Sequence, residues 1–452
     1  MTLFTGECYL EGLSGSTSDD KGGVGPESGG GDLFDCHCAG APAHSAVVMR
    51  KLVSTLTGLE YPFERLEEFA DNGEALEVAV AGVEGARPRP GRHIWERFAE
   101  FLPFKAMDAS ASLGEGNTPL MDAGGRLKSF AGVNRLLLKN ETQNPTWSFK
   151  DRGSLACIFM AQEMGERTTA TISTGNMGHS IAAYGARSGI KVLVFVPEFA
   201  PREKLMAMTM HGATVIRVRA PDYAAMKKEV LGLGKDFKLR IVSGNGPIRT
   251  EGYKLTALEL FEQLQGEPPD YIAVPTSACG HIRGLFKGFR ELLAAGLIGR
   301  LPRMIVVQAA NNSPIVSAIK QGVKHVIPFS NFHTVAEAIT TGNPMGGDEI
   351  IAKANEHGWL AGDAAESKIL EAQRVFAEAG WFVESATATV LCAVRRLRAA
   401  GRIGAGDSVV LMLTGAGIKD LGALKHQPFN VIESNLDNVR SDLEQALSSG
   451  AS

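Results

Sequence analysis

Residues 144–153 read NPTWSFKDRG and set one lysine, Lys150, between a hydroxyl-bearing apolar run and an Asp-Arg-Gly. Most lysines are solvated surface charges, so this neighbourhood has to give the ammonium a task. A lysine in a dry pocket has a lowered pKa and can form an imine with an aldehyde. Four more loops carry groups that a reaction could use. STGNMGHS offers Ser173, Thr174 and Asn176 at a strand-to-helix turn, where unpaired first-turn amides suit an anion, although plain N-capping uses the same residue types. PTSACGHIRG repeats that construction with Ser277, Ala278, Cys279, Gly280 and His281. It reads as a phosphate cradle, and no Gly-Lys-Ser/Thr follows to make it a Walker loop. SGNGPIR brings Ser243 and Arg249, and LTGAG ends an apolar strand on the hydroxyl of Thr414.

These loops must be held by a scaffold. NRLLLKNE, TTATIST, KVLVFVP, ATVIRVR, LRIVSG, YIAVPTS, RMIVVQAA and DSVVLMLT are apolar runs of strand length, separated by helix-length segments. Strands alternating with helices predict parallel sheets covered on both faces. In such folds ligands bind where loops leave the carboxyl ends of the strands, and all five loops leave such ends. An aldehyde that also carries a phosphate is pyridoxal phosphate, whose ring is an electron sink. Lys150 would hold it, the 277–281 loop its phosphate, Asn176 its ring oxygen and Thr414 its ring nitrogen.

The chain has 452 residues, 44% hydrophobic and 21% charged, with a formal net charge of −4. That balance supports a large core and argues against a nucleic-acid binder, which needs a concentrated basic surface. No apolar run approaches the roughly 20 residues that span a bilayer, and MTLFTGECYL does not read as a secretory signal. Six cysteines make no disulfide scaffold, so a cytoplasmic location is expected. Cys8, Cys36 and Cys38 bracket a Gly/Ser/Asp-rich stretch like the knuckles of a degenerate zinc ribbon, with Glu11 where a second cysteine would stand. Those three, with His37 or His44, are candidate zinc ligands, and a metal-free ribbon is the favoured expectation. The expected organisation is this ribbon-like segment with its linker over 1–45, a mostly helical part over 46–110, and a catalytic domain over 111–452. Within that domain a smaller lobe covers roughly 155–265.

GEGNTPL at 114–120, NPTWSFKDRG, STGN with SIAAYGARSGI, IRTEGYK, IVSAIKQG, AITTGNP, ESATATV and LTGAGIKD follow one another in an order that resembles the threonine synthase family. The similarity runs from about residue 110 to 425. It implies a fold-type-II pyridoxal phosphate enzyme of two lobes, each a mainly parallel sheet flanked by helices. It also implies a homodimer acting on a small amino acid. Family members eliminate phosphate from O-phosphohomoserine and add water to give threonine, with Lys150 as the imine lysine and proton shuttle. Ser148, Ser173, Thr174 and Ser243 are then candidates for holding the substrate, and Arg249 for its phosphate.

The departures from the family pattern cluster in the same loops. Trp147 stands where the family usually has Gly, Met177 where it has a small or hydroxyl residue, and Ser243 where Asn is expected. The cradle, often Gly-Asn-Ala-Gly-Asn, reads Ser277-Ala278-Cys279-Gly280-His281, and Ala416 replaces a common histidine. They keep two other readings open: a beta- or gamma-replacement enzyme or deaminase with another substrate, and a catalytically inactive binding protein.

Overall fold

The structure is a computed structural model that describes residues 49–65, 68–221, 223–330, 333–427 and 431–449. The ribbon-like segment, with Cys8, Cys36, Cys38, His37 and His44, lies outside the described residues. Among the described residues thirteen strands form three sheets. β1 (Arg50–Ser54), β2 (Glu60–Pro62) and β3 (Leu76–Val80) make a small antiparallel sheet in the order β2-β1-β3. The largest sheet has six strands: β4 (Leu120–Asp122), β5 (Arg135–Asn140), β10 (Tyr271–Pro275), β11 (Arg303–Ala309), β12 (Leu360–Ala364) and β13 (Ser408–Leu413). Its order is β12-β11-β10-β13-β5-β4, and only the edge strand β4 runs antiparallel. The third sheet, β8-β7-β6-β9, is parallel throughout, from β6 (Thr168–Ile172), β7 (Lys191–Pro197), β8 (Thr214–Val218) and β9 (Ile241–Val242).

Central strands with both faces covered need no polar alternation. β10 and β13 accordingly bury every residue of YIAVP and SVVLML. Two large clusters pack around the six-stranded sheet, one through Ile272, Val274, Val306 and Met412, the other through Ala273, Ile305, Val409 and Leu411. Alternate residues of the same strands thus feed opposite layers. Ala170, Ile172, Met226 and Ile241 form a separate small core on the four-stranded sheet. Among the described residues no helix is long and apolar enough to cross a membrane.

The expected helical character of 46–110 does not hold over its first half, where β1–β3 lie. GEALEVAV is rich in helix formers, but tertiary contacts override that weak preference. Arg283 Nη2 donates to the Leu76 carbonyl at 2.8 Å, and Glu77 pairs with Arg290 and with Lys353. Those bonds, with the Leu52–Val78 pairing of β1 and β3, hold the segment extended. Helical turns do occur further on, at Ile94–Arg97 and Ala99–Phe101.

Candidate active site

Lys150 opens the helix Lys150–Glu163, just after the loop that follows β5. Two backbone bonds pin that loop to the end of β13: Phe149 N–H donates to the Thr414 carbonyl at 3.1 Å, and Ala416 N–H to the Trp147 carbonyl at 3.0 Å. The Asp-Arg that follows is an anchor. Arg152 is fully buried and pairs with Glu141 and Glu259, each at 2.7 Å, and Lys139 joins Glu259 at 2.7 Å. A buried charge set of this kind is tolerated only when its members satisfy one another. The network fastens the lysine's helix to β5 and to the helix Pro247–Gln263.

The Lys150 amine itself has no hydrogen bond or ion pair among the described residues. Its Nζ lies 4.2 Å from the Phe149 ring centroid and 5.8 Å from that of Tyr253. Burial chiefly, then the Arg249 charge, push its pKa down to about 7, with Glu384 opposing. Near neutral pH a large fraction is therefore the free, nucleophilic amine.

Lys150 opens on a cleft of about 1120 Å³. The walls include Ser173, Thr174, Asn176 and Met177 from the four-stranded lobe, and Ser277–His281, Glu384, Thr414 and Lys419 from the larger one. Ser173 Oγ accepts from the Gly175 and Gly178 N–H groups and so shapes its turn. Thr414 Oγ1 lies 2.9 Å from Thr387 Oγ1. In the Ser277–His281 loop Cys279 takes the left-handed conformation, φ 74°, as the N-cap of the helix Gly280–Ala294. Gly280 is obligatory, because a Cβ there would run into the Gly244 carbonyl. The N–H groups of Ala278, Cys279, Gly280 and His281 donate to no group among the described residues. His281 stacks on Phe149 at 3.9 Å with both ring nitrogens unpartnered, and burial holds its pKa well below the usual value, so it is neutral.

Two proposed residues lie off the cleft wall. Ser148 is buried with its hydroxyl unpartnered. Arg249, 1% exposed, stands behind Ser243, donating from Nε to its carbonyl at 3.0 Å and from Nη1 to Ser154 Oγ at 3.2 Å. Three others that sequence reasoning did not single out face the cleft. Glu384 receives the Asn176 amide, and Lys419 Nζ lies 2.7 Å from His179 Nδ1 and donates to the Thr146 carbonyl at 2.9 Å. Burial and the neighbouring Lys419 and His211 push His179 down to about 3, so its ring accepts from the ammonium. Glu384 and Lys419 stood inside ESATATV and LTGAGIKD, which was the available signal.

A free amine, a row of unpartnered N–H groups at a helix start, a threonine hydroxyl and a carboxamide on one cleft fit an aldehyde cofactor bearing a phosphate. Fold and site together define a two-lobed α/β enzyme built for such a cofactor. Residues 111–415 match the family of pyridoxal-phosphate dependent enzymes. The chain is 37% identical over 331 residues to a threonine synthase of Methanocaldococcus jannaschii, covering 72% of this chain and 80% of that one. With a threonine synthase of Methanosarcina acetivorans it shares 35% over 354 residues, 77% and 85% of the two chains. The fold is also that of a processed threonine deaminase isoform 2 from Solanum lycopersicum, with a TM-score of 0.60 at 19% identity over 75% of this chain and 94% of that one. The chain belongs to the threonine synthase family of pyridoxal-phosphate-dependent enzymes.

Proposed function

We propose that this enzyme removes phosphate from O-phospho-L-homoserine and adds water at the beta carbon to give L-threonine. The observation that carries the reading is the meeting of the unpartnered Lys150 amine with the free N–H row of Ala278–His281 on one cleft. The similarity to threonine synthases over most of the chain favours it above the deaminase, replacement and inactive readings.

Lys150 would hold pyridoxal phosphate through Nζ, the 278–281 amides its phosphate, Asn176 Nδ2 its ring oxygen and the Thr414 hydroxyl its ring nitrogen. When bound, the cofactor supplies an electron-withdrawing ring that stabilises carbanionic character on the substrate. A hydroxyl rather than a carboxylate at 414 would leave that ring nitrogen unprotonated. With its pKa near 7, Lys150 Nζ can both take and return protons at neutral pH, serving the alpha, beta and gamma carbons in turn. Thr174 and the 173–176 turn would hold the substrate carboxylate, and Ser243, with Arg249 behind it, the distal phosphate. In this reading the enzyme works as a cytoplasmic homodimer.

Phosphate release and threonine formation are to be measured together on O-phospho-L-homoserine. Equal yields of the two support the assignment. Release with a keto acid in place of threonine, or no release at all, overturns it.

A further inference from the structure

Glu68 lies outside the machinery just described, yet its carboxylate rests against it. Residues 68–75 turn into β3, tied by a Phe69–Ala75 bridge and by Ala70 N–H to the Glu74 carbonyl at 2.9 Å. Phe69 is part of the cleft wall. Glu68 Oε2 accepts the Ser243 backbone N–H at 2.9 Å. The same carboxylate packs on Gly246, where any side chain would overlap it. Gly246 is the N-cap of the helix Pro247–Gln263 and offers no side-chain cap of its own, and a carboxylate is favoured at such an end. Arg249 and Arg240 lie close enough to favour the charged form of Glu68. Arg249 Nη2 and the neighbouring Tyr253 hydroxyl lack a well-formed hydrogen bond. The chain has thus put a carboxylate of its own beside Ser243 and Arg249, where the substrate's distal anion is assigned.

We propose that Glu68 is a specificity residue that occupies the distal anion subsite in the free enzyme, and that a substrate phosphate enters by displacing it. The inference rests on the reading of Ser243 and Arg249 as that subsite. Like charges cannot share one desolvated site cheaply, so the stronger anion takes it. A phosphate dianion outcompetes a single carboxylate for the N–H and guanidinium field, whereas a neutral distal group leaves Glu68 in place. Burial, the largest influence on Glu68, already disfavours its charge, and the Ser243 bonds and both arginines oppose that. The residue sits in a turn rather than a strand, so its carboxylate can leave without breaking the β1–β3 ladder.

Inorganic phosphate titrated calorimetrically into the holoenzyme tests this. Glu68→Ala should bind phosphate roughly tenfold more tightly than wild type or better, because a like charge has gone. Glu68→Gln, which still accepts the Ser243 N–H, should fall between the two. Adding Arg249→Lys to Glu68→Ala should remove the gain. An affinity in both Glu68 variants within about twofold of wild type, or weaker, with the melting temperature of Glu68→Gln unchanged, overturns the proposal. The readout needs no turnover. A gain in binding with no activity on O-phosphohomoserine keeps the subsite and removes the substrate assignment, while full activity with binding indifferent to Glu68 removes this inference alone.

Discussion

Asn176 Nδ2 reaches both carboxylate oxygens of Glu384, at 3.0 and 3.3 Å, and so ties the four-stranded lobe to the six-stranded one across the cleft. Burial raises the Glu384 carboxyl above its usual range, and the Asn176 amide is the first influence opposing it. The same group opposes the burial that lowers Lys150. Glu384 therefore tunes two things: the seat of Asn176 and the basicity of the Lys150 amine.

Glu384→Gln should move the acid limb of cofactor loading to lower pH. Only the neutral amine condenses with an aldehyde, so wild-type apoenzyme should load with a limb near pH 7. Without the carboxylate charge Lys150 gives up its proton more easily, and the limb should fall by roughly one pH unit or less. Stopped-flow absorbance of pyridoxal phosphate uptake across pH reads this directly. A limb that stays in place or rises would remove Glu384 from the account.

Lys150→Ala should cut turnover by about a thousandfold or more and abolish the absorbance of covalently held cofactor. The fold should survive. In the folded apoenzyme the amine titrates near 7, against 10.5 ordinarily, so its protonation is penalised by folding. That penalty is complete below about pH 7 and disappears as pH rises toward 10.5. Apo wild type should therefore gain stability over that range, and Lys150→Ala should lack this gain. Parallel thermal melts at several pH values give the comparison, and identical slopes would count against a buried, depressed lysine.

Arg152→Ala should be among the more damaging substitutions away from the cleft surface. It strands Glu141 and Glu259 in a dry interior, and breaking one partner of a buried ion set costs about 3–5 kcal/mol. Arg152→Lys should recover only part of this, because a point charge does not serve two carboxylates as a planar fork does. Denaturant unfolding measures both. A loss under about 1 kcal/mol for the alanine variant would show that water replaces the guanidinium.

The parallel strands were legible because β10 and β13, covered on both faces, had to be apolar throughout. The runs TTATIST and RMIVVQAA fall on β6 and β11 for a similar reason. β12 was not legible: LAGDA alternates weakly and carries a glycine packed against Ala393. β1–β3 were misread because their composition favours helix and only distant partners, such as Arg283, hold them extended. At the site, the burial of Lys150 on a cleft could be read because its neighbours are unusual for a surface lysine. The positions of Ser148 and Arg249 could not, since whether a side chain faces a cleft or its rear wall depends on packing across elements far apart in sequence. Glu68 gave no signal at all, being one acid in the acidic stretch ERLEEF.

Trp147 offers the sharpest test of specificity. It holds a left-handed backbone, φ 62°, pinned by its own N–H to the Asn144 carbonyl at 2.7 Å and by its carbonyl to Ala416. Such a conformation costs a side-chain-bearing residue about 1–2 kcal/mol. The residue is 50% exposed, its ring 6.1 Å from the His179 ring and with Lys419 Nζ 5.9 Å from its centroid, so it recovers little by burial. Trp147→Gly should therefore leave stability within about 1 kcal/mol of wild type, relieved strain offsetting lost contact and the added freedom of the unfolded chain. A loss above about 2 kcal/mol would show that the ring is a packing element. Met177 is half-buried on the cleft wall with its sulfur beside Gly244, and offers an anion almost no polar partner. Trp147→Gly with Met177→Thr should raise kcat/KM for O-phosphohomoserine several-fold, chiefly through KM, because uniform binding of the distal group is what improves. No change in KM would mean that neither residue borders the substrate's distal end, and that the rim around Lys419 and His179 serves the fold rather than the choice of substrate.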